Sequence, residues 1–424
     1  GIILSLLMII LGGIGGKTVF ILVGVLVLSS CLIWLVNREG ELLTFHLPTP
    51  GAWVKFLAIC FFALYIASVI AVYHRTNLYE RPILYFALTA LMAGIIAVES
   101  LTASRRDVRF ILAQILLLGI SVGWSQILIF PGMNGIDAWY HSNIIQEIVC
   151  ESYIPDGFSY SKLPILHLLV GVTSLITTLS TKLAAMFTTS LGQIVGNTVF
   201  IFLIGTFLFK NPRIGLISAL LVVIGDWHIR FSYLLYPNAF GMVFLVIVLY
   251  LVFNKARDMP RSMLSALLTL MMSCIILIHS ILAVFMGVLL FLHWGISTAY
   301  SKVYQQAKSY TWLLIPVGFT VATFIWWTYV SMHSLLLGSL ISIGFDPMII
   351  EIPALDLGDA NLEMNLADIF SSVFPFYLFA AISIIGILYM VSQKGTDSTF
   401  TYALLSISPL LISFVFYILE GTAV

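Results

Sequence analysis

Asp137 and His141 lie four residues apart in a polar stretch of the chain that reads PGMNGIDAWYHSNIIQEIVCESYIPDGFSYSKLP. On a helix, residues at that spacing share a face, with Cβ atoms about 5–6 Å apart. A carboxylate and an imidazole so placed can act as an acid/base couple, or as two ligands of a divalent metal. The plainer alternative is that Asp137 caps the helix it begins and His141 is an interfacial side chain. Tyr153, Phe158 and Tyr160 follow a turn signal at Ile154-Pro155-Asp156-Gly157. They suit stacking on a sugar or packing in a lipid headgroup layer, as aromatic belts do. A second, shorter polar segment, residues 225–237, carries Asp226, His228 and Arg230.

These residues need elements to position them, and composition says what kind. Of the 424 residues 61% are hydrophobic and 9% charged, with 19 basic and 19 acidic side chains. A soluble domain carries about 25% charged residues, so this chain cannot cover a water-facing surface. It is also too apolar for disorder, and its charge balance leaves no footprint for nucleic acid. The fold class expected is an all-α polytopic membrane protein. The four cysteines, Cys31, Cys60, Cys150 and Cys274, suggest no disulfide framework, and no Cys/His pair has zinc-finger spacing.

A crossing helix needs about 20 apolar residues. Windows of that length predict about 13 spans, at 1–16, 18–36, 52–73, 83–101, 108–130, 183–209, 213–225, 238–254, 262–279, 280–299, 311–333, 369–391 and 398–420. The run 262–299 is too long for one crossing and is divided at His279-Ser280; 213–225 is short and should extend through the loop after it. Residues 164–180 read as an interfacial helix that does not cross, with His167 an ordinary interface residue. The positive-inside rule favours that reading. With 164–180 outside the count, thirteen of the nineteen Lys and Arg residues fall on one face of the membrane and six on the other. The first face is then cytoplasmic, as is the N-terminus.

The long polar loops 131–163 and 334–368 fall on the external face. The second carries Asp346, Glu351, Asp356, Asp359, Glu363 and Asp368, and reads as a solvated segment or a mobile lid. Span centres hold almost no ionisable group. Glu99 and Arg109 sit near helix ends, where snorkelling should keep them wet. Chemistry gathered at one surface favours an enzyme over a permeation pathway. The sequence begins at Gly1 and stops at Val424 just after an apolar run, which leaves room for a missing C-terminal domain or a partner subunit.

The order of these features is similar to that of a known family. GIDAWYH follows a spanning helix, then come an interfacial helix, YIP, and SKLP at the entry to an apolar helix. This resembles the GT-C superfamily of membrane glycosyltransferases, which includes protein mannosyltransferases, oligosaccharyltransferases and aminoarabinose transferases. Members carry an essential acidic residue in the first external loop, and Asp137 stands there. In GDWHIRFSYLLYPNAFGM, Arg230 and Ser232 match an R-x-S pattern, but Asn238 occupies the position of a second acid, so Asp226 is the nearest substitute. SCIILIHSILAV is a weaker match. The likeness covers roughly 105–300, leaving 1–104 as a four-helix membrane extension and 301–424 as C-terminal transmembrane helices.

The resemblance implies transfer of a sugar from a polyprenyl-phosphate donor to a lipid, glycan or protein acceptor at the external face of the plasma membrane. Asp137 would be the base, Asp226 the second carboxylate and His141 a supporting donor. Arg230 would clamp the donor phosphate, because a guanidinium fork matches its geometry; His228, His279 and Lys162 are secondary candidates. Snorkelling to headgroups is the alternative for Arg230. No cofactor is required, and a divalent metal, Mg or Mn, held by Asp137 and His141 is the optional one. The competing functions are a transporter or flippase of a lipid-linked substrate and a non-catalytic membrane scaffold.

Overall fold

Backbone amides in an apolar segment with no water beside it are satisfied within helices or a closed barrel. In a computed structural model of this chain, every regular element among the described residues is helical. Those residues are 52–156, 160–254, 260–303, 313–332 and Gly386. The expected spans 1–16, 18–36, 369–391 and 398–420, and the acidic loop 334–368, lie outside them. The chain divides into two units. The larger, Leu47–Leu290 with Leu313–Ser334, holds every site and groove residue considered below.

Helix α1 is Ala52–Tyr73, α2 Ile83–Thr102 and α3 Val108–Ile129, followed by α4 at Ile136–Glu151 and α5 at Ile165–Thr177. Helix α6 runs Thr181–Phe209 with one π-helical turn at Met186–Ser190. Then come α7 Pro212–Val223, α8 Asp226–Tyr233, α9 Pro237–Asn254, α10 Arg261–Ile278, α11 Ser280–Val303 and α12 Leu314–Tyr329. Five of these (α1, α2, α3, α6 and α11) are long and apolar enough to cross a membrane, and α7 with α8 would make a sixth. The division of 262–299 falls at His279, which is extended between α10 and α11. By contrast, 213–225 does not run on as one helix: α7 ends at Val223, and α8 departs at 59°.

Helix α5 has 13 residues, about 20 Å at 1.5 Å per residue, against a hydrocarbon core of about 30 Å. It ends on Thr178 in the left-handed region (φ 58°) and lies against α4. Ile145 and Ile148 of α4 are buried at that contact, and a Cβ on Gly171 of α5 would meet their methyl groups at 3.9 and 3.7 Å. Trp139 is not on this buried face. It is half exposed and covers Gly132, where a Cβ would stand 2.6 Å from its ring.

The main core joins α2, α3 and α7 through Met92, Ile96, Ile111, Ile115, Leu118, Leu216 and Ala219, with Phe61 from α1. It is continuous across residue 104. Small residues set the closest approaches, as in membrane helix packing generally. At Gly215 of α7 a Cβ would lie 2.6 Å from the Phe202 carbonyl of α6. At Gly123 of α3 it would lie 2.5 Å from the Ser232 hydroxyl of α8. Glu99 departs from its expected snorkelling. It is fully buried, with Ser100 and Gln114 buried beside the same core, because α2 turns this side chain toward α3 and α7 rather than along its own axis to water.

Candidate functional site

The site is built on α4 and on the chain around it. Gly135 is the N-cap of α4 with φ 86°, a backbone state that glycine adopts without strain. Asp137 is thus not the cap but the second helical residue. It is exposed, in the first turn of the helix. One turn on, on the same side of the helix, His141 is buried in the α4–α5 contact and is 3% exposed.

There His141 meets a histidine from α5. Its Nδ1 lies 3.0 Å from Nε2 of His167, which is 1% exposed. The Tyr160 ring packs edge-on to His141 at 4.8 Å, 5.7 Å from His167 and 6.4 Å from His279. Burial pushes His141 down to about 4, with the Asp137 carboxylate pulling the other way and His279 adding to the fall. Burial and the neighbouring His141 take His167 down to about 3. Both rings are therefore neutral near pH 7.

Neutrality fixes who donates. His167 Nδ1 is buried with no hydrogen-bond partner, and an orphaned N–H there would cost more than a bare lone pair. The proton of His167 then sits on Nε2 and is donated to His141 Nδ1. His141 in turn carries its proton on Nε2 and offers an N–H donor.

Asp137 acts on three groups. Besides His141, its charge helps to hold the Tyr160 hydroxyl above the ordinary tyrosine value, after burial and Tyr140. It does the same to Tyr236, after burial, while Arg230 pulls Tyr236 the other way. The charges of a carboxylate from α4 and a guanidinium from α8 thus both act on Tyr236, in the turn after α8. Arg230 is exposed and lies over the Trp227 ring at 5.8 Å. Behind Asn134 and Ala138 is a cavity of about 30 Å³ lined also by Lys182, Ser190 and Ser232, room for about one water. Lys182 donates to the Phe130 carbonyl. The π turn of α6 supplies Met186, Thr189 and Ser190 to the cavity wall, and such turns are frequent at functional sites.

The other expected residues are placed differently. Asp226 is exposed in the first turn of α8. His228 turns inward, its Nε2 buried without a partner and its carbonyl accepting from Gln193 at 3.3 Å. Lys162 pairs with Asp156 at 3.0 Å in solvent, while its carbonyl accepts from the Trp326 indole at 3.1 Å. Ser232 is buried and donates to the Ile229 carbonyl at 2.6 Å. Phe158 lies outside the described residues. Among the described residues no three His, Cys, Asp or Glu side chains converge to hold a metal. His141 has its Nδ1 engaged by His167, which leaves Nε2 as the ring nitrogen that a metal beside Asp137 would use.

His167, Tyr236 and Lys182 are the residues that sequence reasoning missed as site members. His167 carried the one available signal, an imidazole inside an otherwise apolar 13-residue segment. No family model matches the chain, and no curated protein or solved structure matches it.

Proposed function

We propose that this protein is a membrane glycosyltransferase that moves a sugar from a polyprenyl-phosphate donor to an acceptor hydroxyl or amide at the external face of the membrane. The observation that carries the reading is the arrangement around Asp137. An exposed carboxylate at a helix N-terminus has a neutral imidazole donor one turn behind it, and it shares Tyr236 with the exposed Arg230. That supplies the two charges such a transfer needs, one to take a proton and one to receive a leaving phosphate.

Asp137 accepts the proton of the acceptor as its heteroatom bonds the anomeric carbon of the sugar. The bond from that carbon to the phosphate oxygen breaks, and the phosphate leaves with the electron pair onto Arg230. The His141 Nε2–H orients the acceptor or the carboxylate. Phenol rings at Tyr160 and Tyr236 are apolar faces on which a sugar can lie. No step requires a metal held by Asp137 and His141.

The test uses the full chain in proteoliposomes with a panel of short-chain polyprenyl-phosphate hexoses, reading release of polyprenyl phosphate. Asp137→Asn and Asp137→Ala should each lower the rate by about 10²- to 10⁴-fold, the usual worth of a positioned base. Wild-type turnover in both variants overturns the mechanism.

One observation favours a second reading, a transporter or flippase of a lipid-linked substrate. Glu99 is a buried carboxylate inside an apolar helix, and the α7–α8 pair is broken at 59°, both of which suit a substrate path through a membrane. In that case the same liposomes move the donor between leaflets without releasing polyprenyl phosphate.

A further inference from the structure

Away from this site, a groove of about 310 Å³ runs between α1 and α3, at the lower end of the roughly 300–1,000 Å³ of small-ligand sites. Its walls are Tyr65, Val69 and Val72 of α1 with Ile120, Trp124 and Leu128 of α3, and Arg75 and Tyr85 close one end. It shares no lining residue with the cavity behind α4. Both walls belong to helices long and apolar enough to cross a membrane, and Val69 and Leu128 are exposed, so the slot opens sideways toward hydrocarbon.

Its end is basic and short of acceptors. Arg75 Nη1 donates to the Val72 carbonyl at 3.3 Å, but its Nε is buried with no partner. The indole N–H of Trp124, another wall residue, is also buried with no partner. Arg81 stands at the same end, its guanidinium 5.8 Å from the Tyr85 ring and 4.9 Å from that of Phe86, donating to the Val122 carbonyl at 3.1 Å. Glu80, the residue before Arg81, accepts from Asn77 at 2.9 Å. Two guanidinium groups beside an apolar slot at the end of a span complement a phosphate that carries a hydrocarbon chain.

We propose that this groove binds an anionic glycerophospholipid of the surrounding bilayer, with one acyl chain along α1 and α3 and the phosphate at Arg75 and Arg81. The guanidinium ends of Arg75 and Arg81 then meet the phosphate, and the lipid seals the seam between α1 and α3. The site does not depend on which reaction the protein performs.

The experiment reconstitutes the full chain in nanodiscs containing phosphatidylglycerol or phosphatidylcholine with brominated acyl chains. It reads the Trp124 component of the fluorescence as wild type minus Trp124→Phe. Brominated phosphatidylglycerol should quench this component at about 30-fold lower mole fraction than brominated phosphatidylcholine, the scale of two arginines at a membrane surface. In Arg75→Gln/Arg81→Gln the two lipids should quench alike. Equal quenching by both lipids in the wild type means an ordinary lipid annulus and overturns the proposal. So does quenching that a trace of polyprenyl phosphate abolishes while phosphatidylglycerol in excess does not restore it. Native mass spectrometry gives an independent reading should Trp124→Phe not fold: the wild type should retain one more anionic lipid than the double arginine variant, and equal retention overturns the proposal.

Discussion

His141 and His167 are two imidazoles that the contact of α4 with α5 removes from water. Their values in the folded chain, about 4 and about 3, lie below the 6.5 of a free imidazole. The unfolded chain therefore binds more protons than the folded one below pH 6.5. Stability from keeping the pair neutral is fully present above that pH. It drains as pH falls toward about 4 for His141 and on toward about 3 for His167, with a limiting slope of about 1.4 kcal/mol per pH unit for each ring. The melting temperature of the detergent-solubilised protein should thus fall steadily between about pH 6.5 and pH 4, and His141→Gln should flatten that fall. A wild-type melting curve indifferent to pH over this range would show that the pair is not buried. The sequence made Asp137, His141 and Arg230 visible because their signals are local, a four-residue spacing and a short motif. It could not make His167 visible as the partner of His141, because that pairing rests on how two helices dock, 26 residues apart in the chain. Tyr236 is hidden for the same reason, since only folding brings Asp137 and Arg230 to one phenol.

At the level of elements, the helices were legible wherever an apolar run and its breakers agreed. Proline and the polar HRTNLYERP turn delimit α1 and α2, and His279 divides α10 from α11 where a 38-residue apolar run demanded a break. The bend between α7 and α8 was not legible. Nothing in LLVVIGDWHIRFSY marks a change of direction beyond Gly225, and the bend is held by packing. Ser232 of α8 sits against Gly123 of α3, where a Cβ would stand 2.5 Å from its hydroxyl and 3.2 Å from Ile194. Gly123→Ala should therefore displace α8 and destabilise the protein by about 1–3 kcal/mol, the usual cost of overpacking. Since α8 carries Arg230, the same variant should lose more activity than its stability alone explains. Gly94→Ala is the control: a Cβ there meets nothing within 4 Å, so thermal unfolding should leave its stability unchanged or raised. A Gly123→Ala protein as stable as wild type would mean that α8 does not rest on α3.

For the molecule as a whole, charge is the physical handle on which side of the membrane the α4 end faces. Lys and Arg are held on the cytoplasmic side during insertion, so the expected spans, with α5 outside the count, put thirteen of nineteen on the face opposite α4. A helix of 13 residues, about 20 Å long, is shorter than a hydrocarbon core of about 30 Å. Were it to cross instead, every later loop would change sides, twelve of the nineteen would fall on the α4 face, and α4 would be cytoplasmic. A native thiol reports on this directly. Cys150, at the end of α4, is exposed, whereas Cys60 and Cys274 are half-buried within apolar helices. In intact cells a membrane-impermeant maleimide should label the wild-type chain and fail to label Cys150→Ser. Labelling of Cys150 that appears only after the membrane is permeabilised would put α4 in the cytoplasm, and Asp137 with it. No lipid-linked donor displayed on the outer leaflet could then reach that carboxylate, whatever its geometry, so the orientation of one short helix decides whether the chemistry proposed for the site has access to its substrate.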